Sequence, residues 1–69
     1  MISKDYVVGK LLVRKFRAYL TGLKYMGYEL DWLEQKDWFE NHFFVKGNME
    51  SIMRIESAIE RAATEHQFS

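Results

Sequence analysis

Residues 28–47, YELDWLEQKDWFENHFFVKG, decide the fold that this sequence predicts. From Tyr28 to Trp32, aromatic and aliphatic residues alternate with acidic residues, which is the pattern of a half-buried β-strand. A second alternating segment follows at His42–Lys46 after a polar stretch. Two strands this close in the chain leave no room for a crossover connection, so they must pair as an antiparallel hairpin over about residues 28–46. The connecting turn contains no glycine or proline, and its register stays open.

The segments on both sides of this hairpin have the period of an amphipathic helix. Before it, apolar residues recur at spacings of three and four and predict a helix over about residues 4–26. Gly9 weakens that prediction because glycine disfavours helix interiors, and a helix that starts after Gly9 is the alternative. After the hairpin, a helix is predicted over about residues 48–66, with Asn48 as its N-cap. The apolar face of this second helix consists of Ile52, Ile55, Ile59 and Ala62.

The order α-β-β-α predicts an α+β fold, in which two helices pack in a second layer on one face of the hairpin. A chain of 69 residues makes a single domain, residues 1–69, with a small core. Such a small domain is often stabilised by self-association. The hairpin edges are unpaired in a monomer, so pairing with a second copy would give a four-stranded sheet across a homodimer.

Composition excludes several classes of function. The chain has no cysteine, and therefore neither a disulfide framework nor a thiolate metal site. It has no apolar run long enough to span a membrane, and its first residues do not resemble a secretory signal, so a cytoplasmic protein without a membrane partner is expected. None of the four serines lies beside a histidine in sequence, and the glycines form no phosphate-binding loop. We expect no enzyme activity, no cofactor and no small-molecule substrate.

A few side chains have the chemistry of metal ligands. His42 and Glu40 are two residues apart and lie on the same side of the predicted strand, with either Asp31 or Asp37 across from them. These ligands are scattered and lack the spacing of a known metal motif, so the sequence alone predicts no metal site.

The net charge is zero, but the charges are unevenly distributed. Residues 1–25 contain six basic side chains and one acidic side chain, whereas residues 26–69 contain four basic and nine acidic ones. Such asymmetry indicates a polyanionic partner or charge pairing between two faces of the fold. On the predicted first helix, four basic side chains fall within an arc of about 80°. We call these possible phosphate-binding residues the basic stripe: Lys10, Arg14, Arg17 and Lys24.

The basic stripe has two interpretations. It can contact the phosphates of a nucleic acid, or it can be a solvated helix face that pairs with acidic residues of the hairpin. A net charge of zero is unusual for a nucleic-acid-binding protein, so nucleic-acid binding is the alternative function rather than the first.

Aromatic residues supply the first hypothesis. Phe43 and Phe44 are adjacent on a predicted strand, so each face of the sheet should carry a ring. Trp32, Trp38 and Phe39 lie near the hairpin tip, where helices cover only part of the sheet, and they form a candidate partner-binding patch. The alternative is that all the rings belong to the core. We expect a small non-enzymatic protein–protein interaction or assembly module, which binds a protein partner or itself as a homodimer.

Overall fold

The computed structural model describes residues 1–67, with side chains described for residues 1–62. The elements are β1 (Ile2–Gly9), α1 (Val13–Tyr25), β2 (Leu30–Lys36), β3 (Glu40–Gly47) and α2 (Met49–Gln67). The three strands form one antiparallel sheet in the order β1-β3-β2. Strands β1 and β2 therefore run parallel on opposite sides of β3, and α1 connects them in a split β-α-β arrangement. The α+β class is confirmed.

The helix predicted over residues 4–26 is wrong in its first part. Ile2–Gly9 form β1, which pairs with β3 along its whole length. The N–H of Leu12 donates to the carbonyl of Gly9 at 2.9 Å, and this turn leads into α1. The element order is thus β-α-β-β-α instead of α-β-β-α. The alternative start of the helix after Gly9 is correct, but the strand before it was not predicted. A sheet that continued across a dimer would contain six strands, not four.

The predicted hairpin and second helix are present, with outer boundaries that differ by one or two residues. The two strands of the hairpin are β2 and β3, and the N–H of Asp37 closes their turn on the carbonyl of Glu40 at 2.9 Å. Asn48 caps α2 as predicted, because its Oδ1 accepts the N–H of Ser51 at 2.9 Å. Gly27 follows α1 with a φ of 98°, a left-handed conformation that glycine adopts without steric cost.

The core lies between the two helices and one face of the sheet. Alternate residues of β3 from Asn41 to Gly47 are buried, while the residues between them are less covered. The core residues come from all five elements: Val8, Val13, Leu20, Leu23, Leu30, Phe43, Val45, Ile52 and Ile55. Ile59 is 39% exposed, so the buried face of α2 is shorter than predicted. The opposite side of the sheet, which we call the open face, carries side chains that are exposed or half-buried.

Candidate interaction surface

The open face carries apolar side chains across its middle. The register places Phe44 of β3 directly opposite Leu33 of β2, and places Val7 of β1 opposite His42. Directly opposed residues project from the same face of an antiparallel sheet. Leu33 is 75% exposed, and the His42 ring stacks on the Phe44 ring with 6.4 Å between their centroids. Val7, Leu33 and Phe44 therefore form one solvent-accessible apolar patch.

The hairpin tip presents two further rings. Trp38 and Phe39 lie in the turn between β2 and β3, and their side chains are 83% and 79% exposed. Their rings meet edge to face, with centroids 6.4 Å apart. The carboxylate of Asp37 accepts the N–H of Trp38 at 2.8 Å, which helps to hold the turn. Exposed apolar clusters of this kind are typical of interaction sites on soluble proteins.

Trp32 is the third residue of the predicted aromatic patch, and the structure places it elsewhere. It projects from β2 towards the helices and packs against the core while remaining half-buried. The ammonium of Lys24 lies 5.8 Å from the centroid of its ring, a cation–π distance. We therefore leave Trp32 out of the interaction surface, which consists of Val7, Leu33, Phe44, Trp38 and Phe39.

The basic stripe is largely paired within the fold. Arg17 donates two hydrogen bonds to the carboxylate of Glu34, at 2.8 and 2.7 Å, and Lys24 forms an ion pair with Asp31. The spacing explains why both pairs form. Arg17 and Lys24 are seven residues apart on α1, which is a distance of about 10.5 Å along the helix. Asp31 and Glu34 are three residues apart on β2, which is a distance of about 10 Å along the strand. The acidic residues of the second part of the chain thus neutralise part of the basic first part.

Lys10 and Arg14, the other two members of the stripe, differ from each other. Lys10 lies in the turn before α1, where its Nζ donates to Asn41 Oδ1 at 2.6 Å. Asn41 is 2% exposed and in turn donates its Nδ2 to Glu34 at 2.6 Å. The Arg14 side chain has no hydrogen-bond or ion-pair partner among the side chains of residues 1–62. The four residues of the stripe therefore do not form one free cationic surface.

Glu34 is the centre of this polar network. The hydrogen bonds from Arg17 lower the pKa of its carboxyl group, burial acts in the opposite direction, and the Asn41 amide lowers it further. The carboxylate therefore stays ionised at neutral pH and keeps both donors oriented. The Glu34 side chain is only 15% exposed, so the network lies beneath the helix. It links α1 to β2 and β3, because Arg17 lies on α1, Glu34 on β2 and Asn41 on β3.

Tyr6 makes a comparable link between β1 and α2. Its hydroxyl donates to the carboxylate of Glu56 at 3.3 Å. Burial, together with the negative charge of Glu56, raises the pKa of the Tyr6 hydroxyl to about 12. The Tyr6 hydroxyl therefore stays protonated, and can donate this hydrogen bond to Glu56, over the whole physiological pH range.

The structure also decides which acidic residue lies near His42. Asp31 pairs with Lys24, whereas Asp37 approaches the histidine from the hairpin turn. His42 Nε2 lies 3.7 Å from Asp37 Oδ2 and 3.7 Å from Glu40 Oε1. Three side chains with the chemistry of metal ligands, which the sequence left scattered, are thus brought together at the hairpin tip.

No protein-family model, no curated protein and no solved structure showed a significant match to this chain. Within residues 1–67, no helix combines the length and the apolar character required to cross a membrane.

Proposed function

We propose that this chain is a small non-enzymatic interaction module that self-associates through the open face of its sheet and its hairpin tip. The observation that carries the proposal is the exposure of Trp38 and Phe39 at the end of a sheet face whose apolar patch is uncovered. Tryptophan anchors many protein interfaces because it removes a large apolar area from water at small conformational cost. A second copy of the same surface is the simplest partner, since a two-fold axis brings each patch against itself.

The available area supports a dimer only if the hairpin tip takes part. Three strands about 4.8 Å apart, each about 27 Å long, give a flat face of about 400 Å². A standard interface buries about 800 Å² on each partner. Two large aromatic side chains add about 150–250 Å² each, which brings the total close to that value. The apolar patch and the two rings at the tip are therefore proposed to act together.

Pairing through a sheet edge is less well supported. Each edge strand carries a charged side chain on the helix-covered face, Lys4 in β1 and Glu34 in β2. Inward-pointing charges are a device by which natural sheets avoid edge-to-edge pairing. Both residues are engaged within the fold, Lys4 by Glu56 at 4.0 Å and Glu34 by Arg17. We therefore propose face-to-face contact in preference to an extended sheet.

The proposal predicts a concentration-dependent mass. The chain should sediment above its monomer mass of 8.3 kDa as its concentration rises from about 10 to about 500 µM. Changing Trp38 and Phe39 to serine together should weaken association at least about tenfold, because each interface anchor contributes about 1–3 kcal/mol. Sedimentation equilibrium on both proteins gives the two dissociation constants directly.

Met49 and Met53 provide a matched control. They are 65% and 62% exposed on α2, which covers the other side of the sheet. Their double serine variant also removes two exposed apolar side chains and should associate like the unchanged protein. An unchanged chain that stays monomeric at about 500 µM would refute self-association, and equal effects of the two double variants would refute this surface.

Nucleic-acid binding is the competing proposal, and the two proposals predict opposite results when a nucleic acid is added. Since three residues of the basic stripe are engaged within the fold, we expect a short DNA or RNA duplex to cause no amide shifts over residues 10–24, even at low salt. Nuclear magnetic resonance titrations at low and physiological salt test this. Shifts that fade as salt rises, and that disappear in Arg14→Glu, would favour the nucleic-acid function over ours.

A further inference from the structure

We propose that Asp37, Glu40 and His42 form a binding site for a zinc-like transition-metal ion at the hairpin tip. The three residues lie within one turn and the first residues of β3. Each offers one ligand atom, and these atoms all lie within 4.8 Å of one another. This site adjoins the proposed self-association surface, but metal binding does not depend on self-association.

The distances suit a small ion. The imidazole Nε2 is 3.7 Å from one oxygen of each carboxylate, and the third edge of the triangle is at most 4.8 Å. A point equidistant from three such atoms lies no more than about 2.4 Å from each of them, whereas zinc binds nitrogen and oxygen at about 2.0–2.2 Å. The side chains need to move inward by only a few tenths of an ångström.

The donor set selects the class of ion. Calcium and magnesium prefer shells made entirely of oxygen atoms, and three side chains on one turn supply too few. One imidazole nitrogen with two carboxylate oxygens is a donor set that zinc, cobalt and nickel accept. Water completes the coordination, because all three side chains are at least partly open to solvent.

Two contacts orient the ligands in advance. One carboxylate oxygen of Asp37 accepts the N–H of Trp38 at 2.8 Å, so the other oxygen is directed towards His42. The His42 ring is stacked on Phe44 with 19° between the ring planes, which limits its rotation. Trp38 and Phe39 lie between the ligands Asp37 and Glu40 in the chain, so a bound ion also fixes the turn that presents these two rings.

Isothermal titration of the full chain with zinc chloride tests the site. We expect one equivalent of zinc to bind, and His42→Ala and Asp37→Asn each to weaken the affinity at least about tenfold. The sequence contains one other histidine, His66, and His66→Ala is the matched control. It should change the affinity less than about twofold. Circular dichroism of each variant establishes that it is folded.

Cobalt(II) gives an independent readout of location. Its paramagnetism should broaden the amide signals of residues 37–42 first, and the broadening should be absent in His42→Ala. The proposal is overturned if zinc fails to bind at about 1 mM, or if His66→Ala loses as much affinity as His42→Ala. Titrating the double serine variant of Trp38 and Phe39 separates metal binding from self-association, because that variant keeps all three ligands.

Discussion

Replacing Phe43 with alanine should leave much of the protein unfolded at 25 °C. Phe43 has no exposed surface and lies in β3, the central strand. Its ring meets Phe16 of α1 edge to face at 4.8 Å, and Phe16 contacts Tyr6 of β1 at 5.8 Å. Truncating a buried phenylalanine costs about 3–5 kcal/mol, through lost burial and the cavity that remains. A domain of this length has a total free energy of unfolding of about 3–10 kcal/mol.

The neighbouring residue Phe44 is the control for this prediction. It projects to the open face and is 38% exposed, so Phe44→Ala should cost less than about 1 kcal/mol. Urea unfolding followed by tryptophan fluorescence, at a protein concentration that keeps the chain monomeric, measures both variants. If Phe44→Ala destabilised the fold as much as Phe43→Ala, the assignment of the two sheet faces would be wrong.

The same pair of residues shows what periodicity predicts well. Alternation along His42–Lys46 predicts a strand with one ring on each face, and the structure confirms this arrangement. Asn48 marks the start of α2 through a side-chain cap. Gly27 marks the end of α1 through a left-handed backbone conformation. Features fixed within four or five residues of sequence were therefore predictable.

Strand β1 was missed because its partner is distant in sequence. Ile2 pairs with Gly47, and Gly9 pairs with Glu40, so β1 is stabilised by contacts that no local window contains. Val8 continues the three- and four-residue spacing of α1 by coincidence, which extended the predicted helix. The β-branched pair Val7 and Val8, followed by Gly9, was the local signal for a strand that ends before the helix.

The candidate sites were predictable to different degrees. The exposure of Trp38 and Phe39 was predictable, because both residues lie near the predicted hairpin tip, where helices cover only part of the sheet. Trp32 has the same chemistry, but it lies on the covered face, and only the register of β2 reveals this. The approach of Asp37 to His42 depends on the geometry of a turn that contains no glycine or proline, so the sequence did not distinguish Asp37 from Asp31.

Replacing Asn41 with alanine should destabilise the fold by about 1–3 kcal/mol, although it removes no apolar group. The Asn41 amide is buried at 2% exposure, and it links Lys10 to Glu34 with two hydrogen bonds of 2.6 Å. Without it, the partly buried Glu34 carboxylate loses a donor and the Lys10 ammonium loses its acceptor. Asp31→Asn disrupts the exposed ion pair with Lys24 and should change the stability by less than about 0.5 kcal/mol. Urea unfolding at pH 7 compares the two variants.

The network also predicts how this stability depends on pH. The pKa of Glu34 is lowered in the folded state, mainly by Arg17, so its contribution is present above the ordinary glutamate pKa of about 4.3 and is lost as the pH falls through the lowered value. In Asn41→Ala the Glu34 pKa should rise towards the ordinary range, because one of the hydrogen bonds that lower it is gone. Carboxyl carbon shifts, followed by nuclear magnetic resonance between about pH 2 and 7, measure that change. An unchanged Glu34 pKa together with an unchanged urea midpoint would mean that Asn41 fills space without supporting the charge pairing between α1 and the sheet.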